Sequence, residues 1–257
     1  MTTTTEVVRY LDDILETAAI PDYPNALNGL QLQNSGRITK VAACVDFSGK
    51  AVNGVIDTDS DLLLVHHGMF WPGARPLTGP FYDSIRKLLE NDIAVYSTHL
   101  PLDRHPEFGN NVLLSEELGI APSGEFASYK GKSIGVRGES DVATADLVAR
   151  ARTFAEAHGG SVIATPFDAQ QRTLRWAICT GGGASAETLQ EAAATGVDTL
   201  IVGEGPHWTA VEALELGITI IYAGHYATET LGVRALAQHL AERYGLEWTM
   251  IDAPTGL

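Results

Sequence analysis

The sequence predicts an α/β protein with largely parallel or mixed sheets flanked by helices. Short apolar runs recur along it, amphipathic stretches of helical period separate most of them, and metal-friendly polar residues follow several of the runs. Composition agrees: 45% hydrophobic, 19% charged and 26 glycines in 257 residues, enough chain to bury one large core or two ordinary ones.

Taken in order, Glu6 to about Thr17 places Val7, Tyr10, Leu11, Ile14 and Leu15 on one helical face, and Pro21 and Pro24 end it. Asn28-Gly29 marks a turn. Strands are expected at Lys40–Val45, Asp61–Val65, Ile93–Ser97, Ser133–Val136, Ser161–Ala164, Leu174–Cys179, Asp198–Val202 and Ile218–Tyr222. Helices are expected at Tyr82–Glu90, Thr144–Ala157, Ala186–Ala194, Thr209–Leu216 and about Glu229–Tyr244, before a short tail with Trp248 and Ile251. An apolar helix gives way to a polar stretch at Pro122-Ser123-Gly124, which suggests domains at 1–125 and 126–257.

Charge narrows the function. Seventeen basic residues against 32 acidic ones leave a net charge of −15, which excludes extended binding to nucleic-acid phosphates. Cys44 and Cys179 lie in separate apolar runs without ligand spacing and read as buried, inert thiols. The start, Met1-Thr2-Thr3-Thr4-Thr5-Glu6, has neither basic nor apolar signal character, and no stretch reaches membrane-spanning length. A cytoplasmic protein without membrane association is the expectation.

Ligands in open α/β sheets gather beyond the carboxyl ends of strands. There the chain carries His66-His67-Gly68, then Thr98-His99 with Asp103, then Gly203-Glu204 with His207, then Gly224-His225 with Glu229. Neighbouring side chains of a regular strand face opposite ways, so two metals side by side would give each imidazole of the doublet its own ion. A pair of histidines capping a strand is the plain alternative. His225 and Glu229, four apart, share a helical face near a helix start, where a surface ion pair is equally common. Asp103 reads as a helix cap or a ligand. His99 reads as substrate-facing, His105 as a loop histidine, and His158 and His239 as packing or surface residues. Gly181-Gly182-Gly183 matches no complete phosphate-binding motif and reads as a tight turn.

Assembled, these residues resemble the Nif-three-like dinuclear-metal-centre family, whose members are called GTP cyclohydrolase I type 2 homologues. The resemblance is carried by Leu27-Asn28-Gly29-Leu30-Gln31, Val65-His66-His67-Gly68-Met69-Phe70-Trp71, His99-Leu100-Pro101-Leu102-Asp103, Gly109-Asn110-Asn111, Cys179-Thr180-Gly181-Gly182-Gly183, Gly203-Glu204 and Gly224-His225-Tyr226-Ala227-Thr228-Glu229. It covers nearly the whole chain and is closest to the short bacterial branch. It implies two interlinked α/β domains, with most ligands in the first and the last segment returning to complete the site. It implies metal ligands at His66, His67, Asp103, His225 and Glu229, with Glu229 bridging, and a ring-shaped homohexamer.

Two divalent ions held by mixed nitrogen and oxygen ligands would be Zn, Fe, Mn or Ni. Hydrolysis of a small molecule follows, with His99 or Glu204 shuttling protons. A nucleotide is a candidate substrate: the resemblance points to water attack at C8 of the guanine ring of GTP. A metal-dependent binding or regulatory protein, or a metal-handling one, fits the same residues.

Overall fold

The computed structural model describes residues 2–256, which form two compact α/β units. Met1–Leu102 with Gly232–Ala253 makes the first unit, and Asp103–Leu231 with Pro254–Leu257 the second. In chain order the elements begin with α1 (Thr4–Ile14), β1 (Gly29–Leu32), β2 (Lys40–Asp46), α2 (Gly49–Asp57), β3 (Leu62–His67), α3 (Gly79–Glu90), β4 (Ala94–Ser97) and α4 (Leu100–Asp103). Next come α5 (Asn110–Glu117), β5 (Gly124–Tyr129), β6 (Lys132–Ala143), α6 (Thr144–Ala157), β7 (Ile163–Ala164), β8 (Arg172–Cys179), α7 (Ala186–Thr195), β9 (Thr199–Val202), α8 (His207–Glu215) and β10 (Thr219–Tyr222). The chain closes with α9 (His225–Tyr244) and β11 (Glu247–Met250). The α/β class with mixed, helix-flanked sheets is the observed one.

The first unit carries a five-stranded sheet in the order β1-β4-β3-β2-β11. β4, β3, β2 and β11 run parallel and β1 joins antiparallel. Every residue of β3 and β4 is buried, as both faces of a parallel sheet must be. Ala42, Cys44, Leu63, Val65 and Val95 pack on one face against Val52, Val55 and Leu88. At the start of α1, Thr3 and Glu6 close a capping box, which satisfies two backbone donors the first turn leaves open.

The second unit has a six-stranded sheet, β5-β6-β8-β9-β10-β7, with β8, β9 and β10 parallel. Strand alternation divides its core in two. Trp176 and Ile178 of β8 pack with Leu147, Phe154 and Ile201, whereas Ala177 and Cys179 pack with Phe126, Leu189 and Leu200. No helix among the described residues is long and apolar enough to cross a membrane.

Some elements differ from the sequence expectation. β1 runs from Gly29 where only a turn is legible, and β11 occupies the expected tail. Both are edge strands; β11 is stabilised by pairing with β2 rather than by a long apolar run. α2 and β5 are also not expected: α2 is a short helix that carries Gly49 and Gly54, and β5 is another edge strand, held by its pairing with β6. α9 starts at His225, a turn before the expected Glu229, because buried Tyr226 and Ala227 extend its apolar face.

Two outcomes follow. Leu63→Ala, at a fully buried position, is expected to lose about 2–5 kcal/mol, read from the shift in denaturant midpoint. Burial pushes the Cys44 thiol up to about 11 and the Cys179 thiol up to about 12. Native protein at about pH 8 should therefore resist a thiol reagent and show both cysteines only in denaturant.

Candidate metal centre

In the first unit the carboxyl edge of the sheet gathers three imidazoles. His66 and His67 end β3, and His99 follows β4. One ring nitrogen of each lies within 4.8 Å of the others. Alternation along β3 does not separate the doublet: its ring centroids are 4.8 Å apart. Each ring is tied toward a different neighbouring strand. His66 Nδ1 donates to the Thr98 carbonyl just past β4 (2.9 Å), and His67 Nδ1 donates to Asp46 at the end of β2 (2.9 Å). His99 Nδ1 donates to Asp22 (2.8 Å).

The chemistry of those acceptors sets the tautomers. A carbonyl or an ionised carboxylate only accepts, so the Nδ1 atoms carry the protons and the Nε2 atoms carry the lone pairs. This is how metal-binding imidazoles are commonly oriented. Nitrogen ligands sit about 2.0–2.1 Å from a zinc-like ion, so a 4.8 Å grouping fits donors to one ion or to a close pair. Asp22 is itself well anchored, accepting from Asn28 Nδ2 (2.8 Å) and from the amides of Tyr23 (2.6 Å) and Leu100 (2.9 Å). Burial opposes its ionisation, but these donors and His99 hold its carboxyl below the usual range. The Trp71 ring lies beside His67 and His99, with centroids 4.4 and 4.6 Å away and its plane tilted to both.

Gly68 follows the doublet for a steric reason. A Cβ there would come within 2.4 Å of the Gln31 side chain and 2.6 Å of Ser97 Oγ. Gln31 uses that space to accept from the Met69 amide (2.7 Å) and to donate to the Ala26 and Leu27 carbonyls. The segment after β3 is thereby locked to the one before β1.

The second unit holds a different donor set. His225 Nδ1 meets Glu204 Oε1 at 2.8 Å, and His225 Nε2 meets Glu229 Oε2 at 3.2 Å, the two carboxylates flanking one imidazole. Burial works against the charged form of His225, but Glu229 and then Glu204 outweigh it and push the pKa up to about 9. Glu229 is 2% exposed, a costly place for a carboxylate without compensating charge. The glycine loop after β8 exists to admit it. A Cβ on Gly181, which has φ +61°, would fall 2.0 Å from Glu229 Oε1, and one on Gly183 would meet the Cys179 carbonyl at 1.9 Å. Asp103, also buried, accepts from Asn110 Nδ2 at 2.8 Å.

Within the first unit His66, His67 and His99 stand together. Within the second, His225 stands with Glu229 and Glu204, and Asp103 belongs to the same unit. Glu204 orients His225. His207 opens α8 with an exposed side chain; His105 caps its own loop, taking the Phe108 amide at 3.1 Å; His158 bonds the Phe154 carbonyl; and His239 bonds Tyr10. Asp22 and Asp46 escape the sequence reading. Asp46 directly ends an apolar run, which is a usable signal, whereas Asp22 lies 77 residues from His99.

Asp46→Ala should weaken metal affinity about 10–100-fold, measured by chelator competition, while leaving the melting temperature nearly unchanged. Gly181→Ala should lose metal at constant fold because its Cβ takes the place of Glu229 Oε1.

The family model Duf34/NIF3 (NGG1p interacting factor 3) matches residues 2–255. A protein of Deinococcus radiodurans named GTP cyclohydrolase 1 type 2 homolog is 37% identical over 98% of this chain and 94% of its own length. One of Pyrococcus horikoshii with the same name is 38% identical over 98% of both. Among solved structures, protein ybgI, described as of unknown function, aligns over all of both chains with a TM-score of 0.89 and 35% identity. TTHA1606 from Thermus thermophilus does so with 0.80 and 32%. The chain belongs to the Duf34/NIF3 family.

Proposed function

We propose that this protein is a hydrolase built on two divalent metal ions, with His66, His67, Asp103, His225 and Glu229 as ligands and Glu229 shared between the ions. The observation that carries the reading is that Nδ1 of each of His66, His67 and His225 lies 2.8–2.9 Å from an oxygen of the scaffold, which turns Nε2 away from it. Buried carboxylates at Asp103 and Glu229 supply the complementary oxygen donors. Nitrogen and oxygen ligands of this kind suit Zn, Fe, Mn or Ni.

Two such ions, when bound, make water nucleophilic near neutral pH and orient a substrate oxygen. The chain's own residues do the rest. His99, its Nδ1 proton held by Asp22, has a lone pair on Nε2 to take a proton from the attacking water. Glu204 holds His225 in place and, being half exposed, reaches solvent to pass a proton on. Trp71 and Tyr23 limit competing water around the imidazoles. The relatives' name, GTP cyclohydrolase 1 type 2 homolog, makes GTP the candidate substrate, and on this reading water attacks C8 of its guanine. A cytoplasmic homohexameric ring belongs to the same reading.

Asp103→Ala and His225→Ala should each lower metal content, measured by elemental analysis of protein purified without chelator, and keep the native circular dichroism. Unchanged stoichiometry in both would sink the ligand assignment. Metal-loaded protein should hydrolyse a member of a nucleotide, phosphoester and cyclic-amide panel, and Glu229→Ala should abolish that turnover. A folded, loaded protein inert to the whole panel would favour a binding role instead.

A further inference from the structure

Two asparagines at the start of α5 are almost wholly buried: Asn110 is 0% and Asn111 1% exposed. An amide side chain out of water is costly unless it is bonded, and a helix end is the usual place where such residues are used. Here the helix end does not use them, because α5 has no side-chain cap hydrogen bond. Both side chains turn instead to Asp103. Asn110 Nδ2 donates to Asp103 Oδ1 at 2.8 Å. Asn111 Nδ2 donates to the Asp103 carbonyl at 3.0 Å and to the Ile134 carbonyl at 2.7 Å. Gly109 permits this approach. A Cβ there would meet the Asp103 carbonyl oxygen at 2.6 Å and that of His105 at 2.3 Å.

The same turn reaches the loop that encloses Glu229. Asn111 Oδ1 accepts from the amide of Thr180, one residue past the end of β8, at 2.8 Å. Gly181, the next residue, donates its amide to Thr228 Oγ1 at 3.1 Å, and Thr228 donates in turn to the His225 carbonyl at 3.0 Å. Burial first, then the Asp103 and Glu229 charges, push the Cys179 thiol up to about 12, which puts both carboxylates near the end of β8. Uncharged groups thus link Asp103 to the start of α9, which carries His225 and Glu229. An amide donor suits that place: it orients a carboxylate and keeps the negative charge that a cation needs. We infer that Asn110 is a positioning residue for metal binding: through Oδ1 it holds the Asp103 carboxylate in its ligating orientation, and Asn111 fixes the backbone beneath it. The inference rests on the proposed role of Asp103 as a ligand.

The test loads the purified 257-residue chain with cobalt(II). Affinity is read by chelator competition, and coordination by the visible absorption of the bound ion. Asn110→Ala should weaken cobalt affinity about 10–100-fold and change that spectrum, at native circular dichroism. Asn110→Leu, similar in shape and without a donor, repeats the test should the alanine variant not fold. Asn110→Ser, which keeps a shorter donor, should lie between wild type and the donor-less variants. In an Asp103→Ala background, Asn110→Ala should cost no further affinity, because the group it holds is gone. A double variant in which the two single losses multiply overturns the inference, as does a serine variant as weak as the donor-less ones. Asp103→Ala that weakens binding, beside folded donor-less variants with wild-type affinity and spectrum, defeats the inference alone. Affinity untouched by Asp103→Ala defeats the ligand reading, and the inference with it.

Discussion

Four histidines of this protein each place Nδ1 against an oxygen that the fold supplies: the Thr98 carbonyl for His66, Asp46 for His67, Asp22 for His99 and Glu204 for His225. An imidazole has two nitrogens and, when neutral, one proton, so fixing that proton on one nitrogen decides what the other can do. The acceptors come from rigid places. Two are strand-end residues or the carbonyl just past one, and Asp22 is held by two backbone amides and Asn28. The chemical capacity of the histidines is therefore set by the oxygens the fold places against them, one carbonyl and three carboxylates.

Burying this much polarity is expensive unless it is compensated. In the second unit the compensation is steric as well as electrostatic. Gly181 brings the loop after β8 close enough to enclose Glu229, Gly183 lets the same loop close on the Cys179 carbonyl, and any side chain at either would collide with its surroundings. In the first unit Gly68 plays the corresponding part by making room for Gln31. These glycines are read most naturally as turn formers; their actual service is close approach, which no local rule distinguishes from turning.

Much of the arrangement is legible in the residue order alone. The parallel strands announce themselves as apolar runs because both of their faces are buried, and the chemistry-bearing residues follow those runs because that is where a parallel sheet opens to ligands. His66, His67, His99, Glu204 and His225 are all found that way. What escapes is edge structure and anchoring. β1 and β11 depend on their neighbours for stability, and Asp22 is tied to His99 from 77 residues away.

By itself, the sequence determined the α/β class, the parallel strands and the identity of the histidines and carboxylates available for chemistry. Hydrophobic period and strand-end position are local properties, so a linear reading recovers them. The tertiary structure alone decided which oxygen holds each imidazole, which glycine admits which side chain, and that Gly232–Ala253 returns to the first unit to add β11 beside β2. Those are contacts between segments far apart in the chain, and their energies depend on distances of a few tenths of an ångström that no residue order specifies. The histidine doublet shows the division. Its place at the end of β3 is written in the sequence, but its rings lie 4.8 Å apart and lean to opposite neighbours because β2 and β4 flank that strand.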